Sequence, residues 1–354
     1  MNTTKIAFLA LATILAPADP SPKSLAEIAP IDAHCHVYKQ DSALTALLNE
    51  LNFSMLDILV IDKEDKFFKS LEPQHADALS VIHANPRRIA LCTTFSPYDF
   101  DSPRFSQRVI RELDTDFAKG AVAVKIYKTI GMQIKTKSGK YLMPDDPVFD
   151  PIYNHIAASG HTVVAHLAEP TSCWQPPNPD SPDFSYYKEH PEEYAYLHSG
   201  WPSKAEILTA RDHLLERHPE LRVVGAHLGS MEVDVDEIAK RLDLYPNFAV
   251  DTAARIPYLM LQPRKKIRDF LIKYQDRVLY GTDFGLYPEQ SGSAGLIRDL
   301  KATYLQDWKY FASNEVIKYN GRDIQGLELP PPVLRKIYHD NAVHWFPGIL
   351  HLRE

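Results

Sequence analysis

His34-Cys35-His36 closes a short β-branched run near the start of the chain. Successive strand side chains point to opposite faces, so His34 and His36 share one face while Cys35 points away. Two imidazoles about 7 Å apart along a strand can converge on one cation. Taken alone, such a pair is as well explained by core packing. Here it is one of a set. His166, His227 and Asp283 stand at the ends of further strand-like runs, and Lys125 lies near the end of another. Imidazole nitrogens and a carboxylate in one place would bind a divalent cation. The competing reading is a group of independently satisfied core histidines.

These residues can act together only if the runs that carry them lie side by side. The sequence offers strand-like runs at 31–36, 57–61, 88–95, 121–127, 161–167, 221–228, 247–252 and 277–283. Stretches of helical spacing separate them, such as 207–215, for which Ser203 after Pro202 is a natural N-cap. Strands alternating with helices imply an α/β fold with a parallel sheet, and eight such pairs predict a closed (β/α)8 TIM barrel. An open doubly wound sheet is the alternative, but no G-x-G-x-x-G opens a helix after a strand. Each candidate then sits at a C-terminal strand end, where barrels do their chemistry. Parity predicts inward positions for Ala121, Ala123, Lys125 and Tyr127, for Thr162, Val164 and His166, for Gly225 and His227, and for Gly281 and Asp283.

One connection is exceptional. Residues 168–202 separate a strand from its helix, where about 2–6 residues usually suffice. The segment is rich in proline and aromatic residues, among them Pro176, Pro177, Trp174, Tyr187 and Tyr194. At the active face of a barrel it is expected to form a lid.

The 354 residues are 45% hydrophobic and 24% charged, ordinary globular usage that excludes a disordered, collagen-like or coiled-coil chain. A net charge of −7 argues against a nucleic-acid partner. Cys35, Cys92 and Cys173 are too few and too scattered for a disulfide framework. Lys5, the apolar run 6–16 and Ala16-Pro17-Ala18 resemble a secretory signal peptide over 1–18, the alternative being a buried first helix. Residues 19–29 would be a tether, and 30–354 a single barrel domain. The expected location is exported, periplasmic or secreted, with no stable membrane span in the mature chain. A homo-oligomer is left open.

Asp32-Ala33-His34-Cys35-His36, His166, His227 and Gly281-Thr282-Asp283 together resemble the amidohydrolase superfamily. The closer resemblance is to its amidohydrolase-related branch, which includes aminocarboxymuconate-semialdehyde decarboxylase, resorcylate decarboxylases and lactone-cleaving enzymes. The stretch from Tyr274 to Asp283 and the late Asp340-Asn341-Ala342 are typical of that branch. The resemblance implies that His34, His36, His166 and Asp283 hold a divalent metal, with zinc first and manganese or iron next. It gives His227 the part of a general acid or base beside the metal, or of a second ligand, and lets Asp283 share the proton transfer. Lys125 is either a carboxylate-binding cation in a mononuclear site or a carbamylated bridge between two metals; one metal per chain is the expectation. Arg255 could clamp a substrate carboxylate, or serve in a structural ion pair.

Two enzymatic readings follow for a small-molecule substrate. The first is hydrolysis of an ester, lactone or amide by a metal-activated water. The second is non-oxidative decarboxylation of an unsaturated or aromatic acid. A non-catalytic binding module is a third, disfavoured by the complete donor set.

Overall fold

The computed structural model describes residues 20–290 and 292–350. The expected signal peptide over 1–18 lies outside the described residues. Nine parallel strands form the sheet. They are β1 (Ile31–Val37), β2 (Ser54–Ile58), β3 (Ile89–Thr94), β4 (Ala121–Ile126), β5 (Thr162–Ala165), β6 (Arg222–Gly225), β7 (Phe248–Asp251), β8 (Val278–Leu279) and β9 (Phe284–Leu286). Their order is β8-β7-β6-β5-β4-β3-β2-β1-β9.

β8 and β9 are two pieces of one eighth strand. β8 pairs with β7 and β9 pairs with β1. Across the break, Ala33 N donates to Tyr280 O and Asp283 N to His34 O, each at 2.9 Å. The ring thus closes as a (β/α)8 barrel. Helices follow the strands in turn: Ser42–Glu50, Leu71–Ala84, Phe105–Ala118, Asp150–Ala158, Lys204–Arg217, Val235–Leu244, Arg264–Lys273 and Ser293–Ala312. Ser203 caps its helix as expected. Its hydroxyl accepts from Glu206 N at 3.2 Å, and Glu206 Oε2 accepts from Ser203 N at 2.7 Å.

The strand faces follow the expected alternation except where an irregularity resets it. A register shift between Asp32 and Cys35 turns Ala33 and His34 both inward, and Asp32 outward toward the Ser293–Ala312 helix. A second shift lies between the β3–β4 partners of Leu91 and Cys92; Val122 joins the interior while Ala121 packs outside. In β6 the predicted parity is wrong: Val224 and Ala226 face the interior. Gly225 instead backs onto Phe248, which a Cβ there would meet at 2.8 Å. The second strand also begins three residues earlier than its predicted start, at Ser54 rather than residue 57.

Three further features depart from expectation. Within the supposed tether, Pro22–Glu27 forms a short helix capped by Ser21, with Leu25 fully buried. An antiparallel hairpin, Val316–Tyr319 with Arg322–Gln325, was not anticipated. Trp345, Phe346 and Ile349 do more than pack the last helix: they join the interior cluster of the barrel with Ile31, Leu56 and Val164. Thr162 at the start of β5 donates to Trp345 O, so this plug closes the N-terminal end of the barrel.

Candidate metal centre

At the other end, β1 delivers His34 and His36 with their rings 5.4 Å apart. A donor atom from each of His34, His36 and Asp283 lies within 4.8 Å of the others. Asp283 Oδ1 stands 3.6 Å from His34 Nε2 and 3.4 Å from His36 Nε2. The ring of His227 is 4.8 Å from that of His34 and 4.3 Å from that of His166. Three of the four expected ligands, His34, His36 and Asp283, thus share one cluster, while the fourth, His166, stands beside His227.

Local backbone, rather than strand alternation, aims two of these side chains. His227 and Leu228 have φ of 58° and Asp283 has φ of 68°. Left-handed non-glycine residues of this kind cost about 1–3 kcal/mol each and persist only where the surroundings fix them. The turn after β6 brings His227 inward although the strand before it has the opposite parity. Gly281 allows the eighth strand to approach β1, since a Cβ there would lie 3.0 Å from the Cβ of His34.

The outer nitrogens of the imidazoles are held. His34 Nδ1 is 2.8 Å from Asp251 Oδ2, His36 Nδ1 is 2.8 Å from Ile58 O, and His227 Nδ1 is 2.9 Å from Ala253 O. Each acceptor fixes a proton on Nδ1 and leaves the Nε2 lone pair pointing elsewhere, as metal-binding imidazoles require. Asp251 Oδ1 also accepts from His227 N at 2.8 Å and from Ala253 N at 3.1 Å. His166 Nε2 is buried without a hydrogen-bond partner. A buried lone pair of this kind is costly unless something binds it, so the donor set fits a divalent cation.

The electrostatics agree. Burial lowers the pKa of His34, with Lys125 adding to the effect, and lowers that of His166 well below its ordinary value. Burial takes His227 down to about 3, so it is neutral at pH 7. For Asp283 burial acts upward, but the imidazoles of His227, His36 and His34 outweigh it and hold the carboxyl well below its usual range. Neutral His34, His166 and His227 beside an ionised carboxylate are the states in which these groups ligate a metal.

Lys125 is 1% exposed, and its Nζ lies 3.2 Å from His34 Nε2. Burial brings its pKa down to about 8. It belongs to the donor ring rather than to an open substrate pocket. Arg255 is buried too; its Nη1 is 3.7 Å from Asp183 Oδ1 on the lid, and its Nε has no partner.

Lys128 and Glu169, just beyond Lys125 and His166 in the chain, are buried against each other. Lys128 also pairs with Glu193 of the lid. Tyr187 OH donates to Glu169 Oε2 at 3.2 Å and Tyr186 OH to Glu193 Oε2 at 2.7 Å. The paired carboxylates outweigh burial and keep the Lys128 ammonium charged. Its spacing from Lys125 and that of Glu169 from His166 were the available signals; Glu193 carried none. The lid itself is a series of short helical turns around Cys173, Tyr187, Tyr194 and Ala195.

A barrel with imidazole and carboxylate donors at the C-terminal ends of its strands defines a metal-hydrolase type of architecture. The amidohydrolase family model matches residues 31–348, and the chain belongs to that family. A search of curated proteins found no match. An uncharacterised TIM-barrel protein, Bb4693 from Bordetella bronchiseptica, is 15% identical with a TM-score of 0.53, covering 90% of this chain and 99% of its own. An amidohydrolase II structure is 16% identical with a TM-score of 0.50, covering 90% and 99%. A dihydroxybenzoic acid decarboxylase from Polaromonas sp. JS666, with bound manganese and 2-nitroresorcinol, is 14% identical with a TM-score of 0.50, covering 90% and 96%. At these identities the likeness extends to the fold alone.

Proposed function

We propose that the protein is a metal-dependent hydrolase of a small ester, lactone or amide. One observation carries the reading: outwardly anchored imidazoles surround a carboxylate, and one inner nitrogen, His166 Nε2, is buried and unpaired. His34, His36 and Asp283 would hold one cation. When bound, such a cation polarises a substrate carbonyl and lowers the pKa of a water toward neutrality. Asp283, a third of whose side chain is exposed at 32%, is placed to take a proton at Oδ1 and return it to the leaving group.

Lys125 favours a second cation over a substrate-binding role. A protonated amine 3.2 Å from His34 Nε2 would repel a metal at that nitrogen. As a carbamate, formed from the amine and carbon dioxide with release of a proton, the same side chain would be an anionic donor, and His166 with His227 would supply the remaining ligands. His227 would then be a ligand in place of the expected acid or base. Decarboxylation remains the second reading, supported by Arg255, a buried cation with an unpaired Nε that suits a substrate carboxylate. Metal analysis combined with turnover of lactones, esters, amides and aromatic acids tests both. Release of carbon dioxide without any hydrolysis would refute the first reading.

A further inference from the structure

His227 opens a run of four residues, His227 to Ser230, with φ of 58°, 58°, 61° and 56°. Ser230 N donates to His227 O at 3.1 Å and Met231 N to Leu228 O at 3.2 Å, so the run is one turn of left-handed helix. L-residues visit this region singly, because each one sets its Cβ against the following carbonyl oxygen. Three of them in one turn persist only where contacts outside the turn hold it.

Asp251 and Ala253 fix the near end, through His227 N and Nδ1. Two other side chains hold the far end, and neither is a candidate donor. Ser230 Oγ donates to Ala168 O at 2.7 Å. Ala168 is itself left-handed, at φ 65°, and lies two residues beyond His166. Arg211, on the Lys204–Arg217 helix, is 1% exposed. Its Nη1 donates to Gly229 O and its Nη2 to Asp212 Oδ1, each at 2.7 Å, and its guanidinium lies 5.0 Å from the ring centre of Phe248. A charge so buried must be paired and hydrogen-bonded, and these are its oxygen partners. The turn folds back closely on β6: a Cβ on Gly225 would lie 2.9 Å from Gly229 Cα. The rings of His166 and His227, 4.3 Å apart, therefore hang from two backbone segments that Ser230 ties together and Arg211 supports from behind.

We propose that Ser230 and Arg211 are positioning residues for His227, setting its imidazole against that of His166 so that both serve one cation. The inference rests on the reading of His227 as a ligand of a second cation. Ser230→Ala removes the tie to Ala168 and Arg211→Met the tie to Gly229; the smaller change keeps the test decisive if the larger one prevents folding. Arg241→Met is the control for general loosening, since Arg241 Nε donates to Asp212 Oδ2 at 3.1 Å without touching the turn. In the metal-free protein, the ring-nitrogen chemical shifts of His227 should move toward a mixture of tautomers in S230A and R211M and stay in place in R241M. Competition for zinc with a chromophoric chelator should show the site that H227A removes weakened about tenfold in S230A, and the site of His34, His36 and Asp283 held within about threefold. Unmoved His227 shifts in S230A overturn the proposal. So do shifts in R241M that match those in R211M, or equal losses at both zinc sites, since either would mean a loosened barrel. If the wild-type chain takes up one zinc or none, the two-cation reading fails, and the His227 shifts still decide whether Ser230 and Arg211 hold the turn.

Discussion

Asp251→Asn should remove metal while keeping the fold. The aspartate is fully buried and serves three donors: two backbone amides at Oδ1 and His34 Nδ1 at Oδ2. Asparagine keeps one oxygen. The two amides of His227 and Ala253 hold that oxygen in the Oδ1 position, so the new NH2 faces His34. His34 must then accept at Nδ1 and carry its proton on Nε2, which removes the lone pair a metal requires. A hydrogen bond to a charged group contributes about 1.5–3 kcal/mol, or roughly 10–150-fold in a binding constant. Loss of support behind a ligating histidine usually costs about 10–100-fold in metal affinity. Competition with a chromophoric chelator measures the affinity. Nitrogen chemical shifts of His34 report the tautomer, and circular dichroism checks the fold. Affinity within about threefold of wild type would refute the tautomer argument.

Further predictions address other parts of the molecule. His227→Ala and Lys125→Met should each lower metal content from two equivalents to one, by elemental analysis; an H227A protein that keeps its full metal content but loses about 10²–10⁴-fold in kcat would restore His227 as acid or base. Lys128→Met leaves buried Glu169 and half-buried Glu193 without their cation, a loss of up to about 3–5 kcal/mol, and should speed amide exchange in lid residues 184–197; unchanged exchange would show that the pair does not hold the lid. Burial raises the pKa of Asp307 to about 7, with the Tyr280 hydroxyl as its hydrogen-bond partner at 2.9 Å. Its stabilising contribution is full below the unfolded pKa near 4 and is lost as pH rises through 7, so Asp307→Asn should gain about 2–3 kcal/mol on wild type between pH 5 and pH 8 in urea melts. If Met1–Ala18 is a cleaved leader, mass spectrometry of protein from its native cell will find the chain starting at Asp19; an intact Met1 refutes this.

The donors were legible because each is a chemically distinctive residue at the end of an apolar run. His34 and His36 could be assigned to one face from strand geometry alone, and His166 kept its expected alignment with Val164. What escaped was set by contacts distant in sequence. The left-handed turn at His227 reverses the parity of β6, and nothing in Gly225-Ala226-His227 announces it. The eighth strand was read as continuous, although Tyr280–Asp283 bridges to β1 instead of extending β8. β2 starts early because Ser54 N bonds to Pro30 O, a partner no local pattern reveals. The burial of Lys128 escaped because its carboxylate partners lie 41 and 65 residues further on.

The plug at the N-terminal end of the barrel bears on how the chain matures. β1 is made before its second neighbour, β9, and before the residues that seal the interior, Trp345, Phe346 and Ile349. Until they arrive, β1 keeps one unsatisfied edge and the barrel interior stays open to water. The growing chain therefore has no complete core to settle into until the plug has been made. A protein built this way keeps its first strand unsealed until the plug residues have left the ribosome.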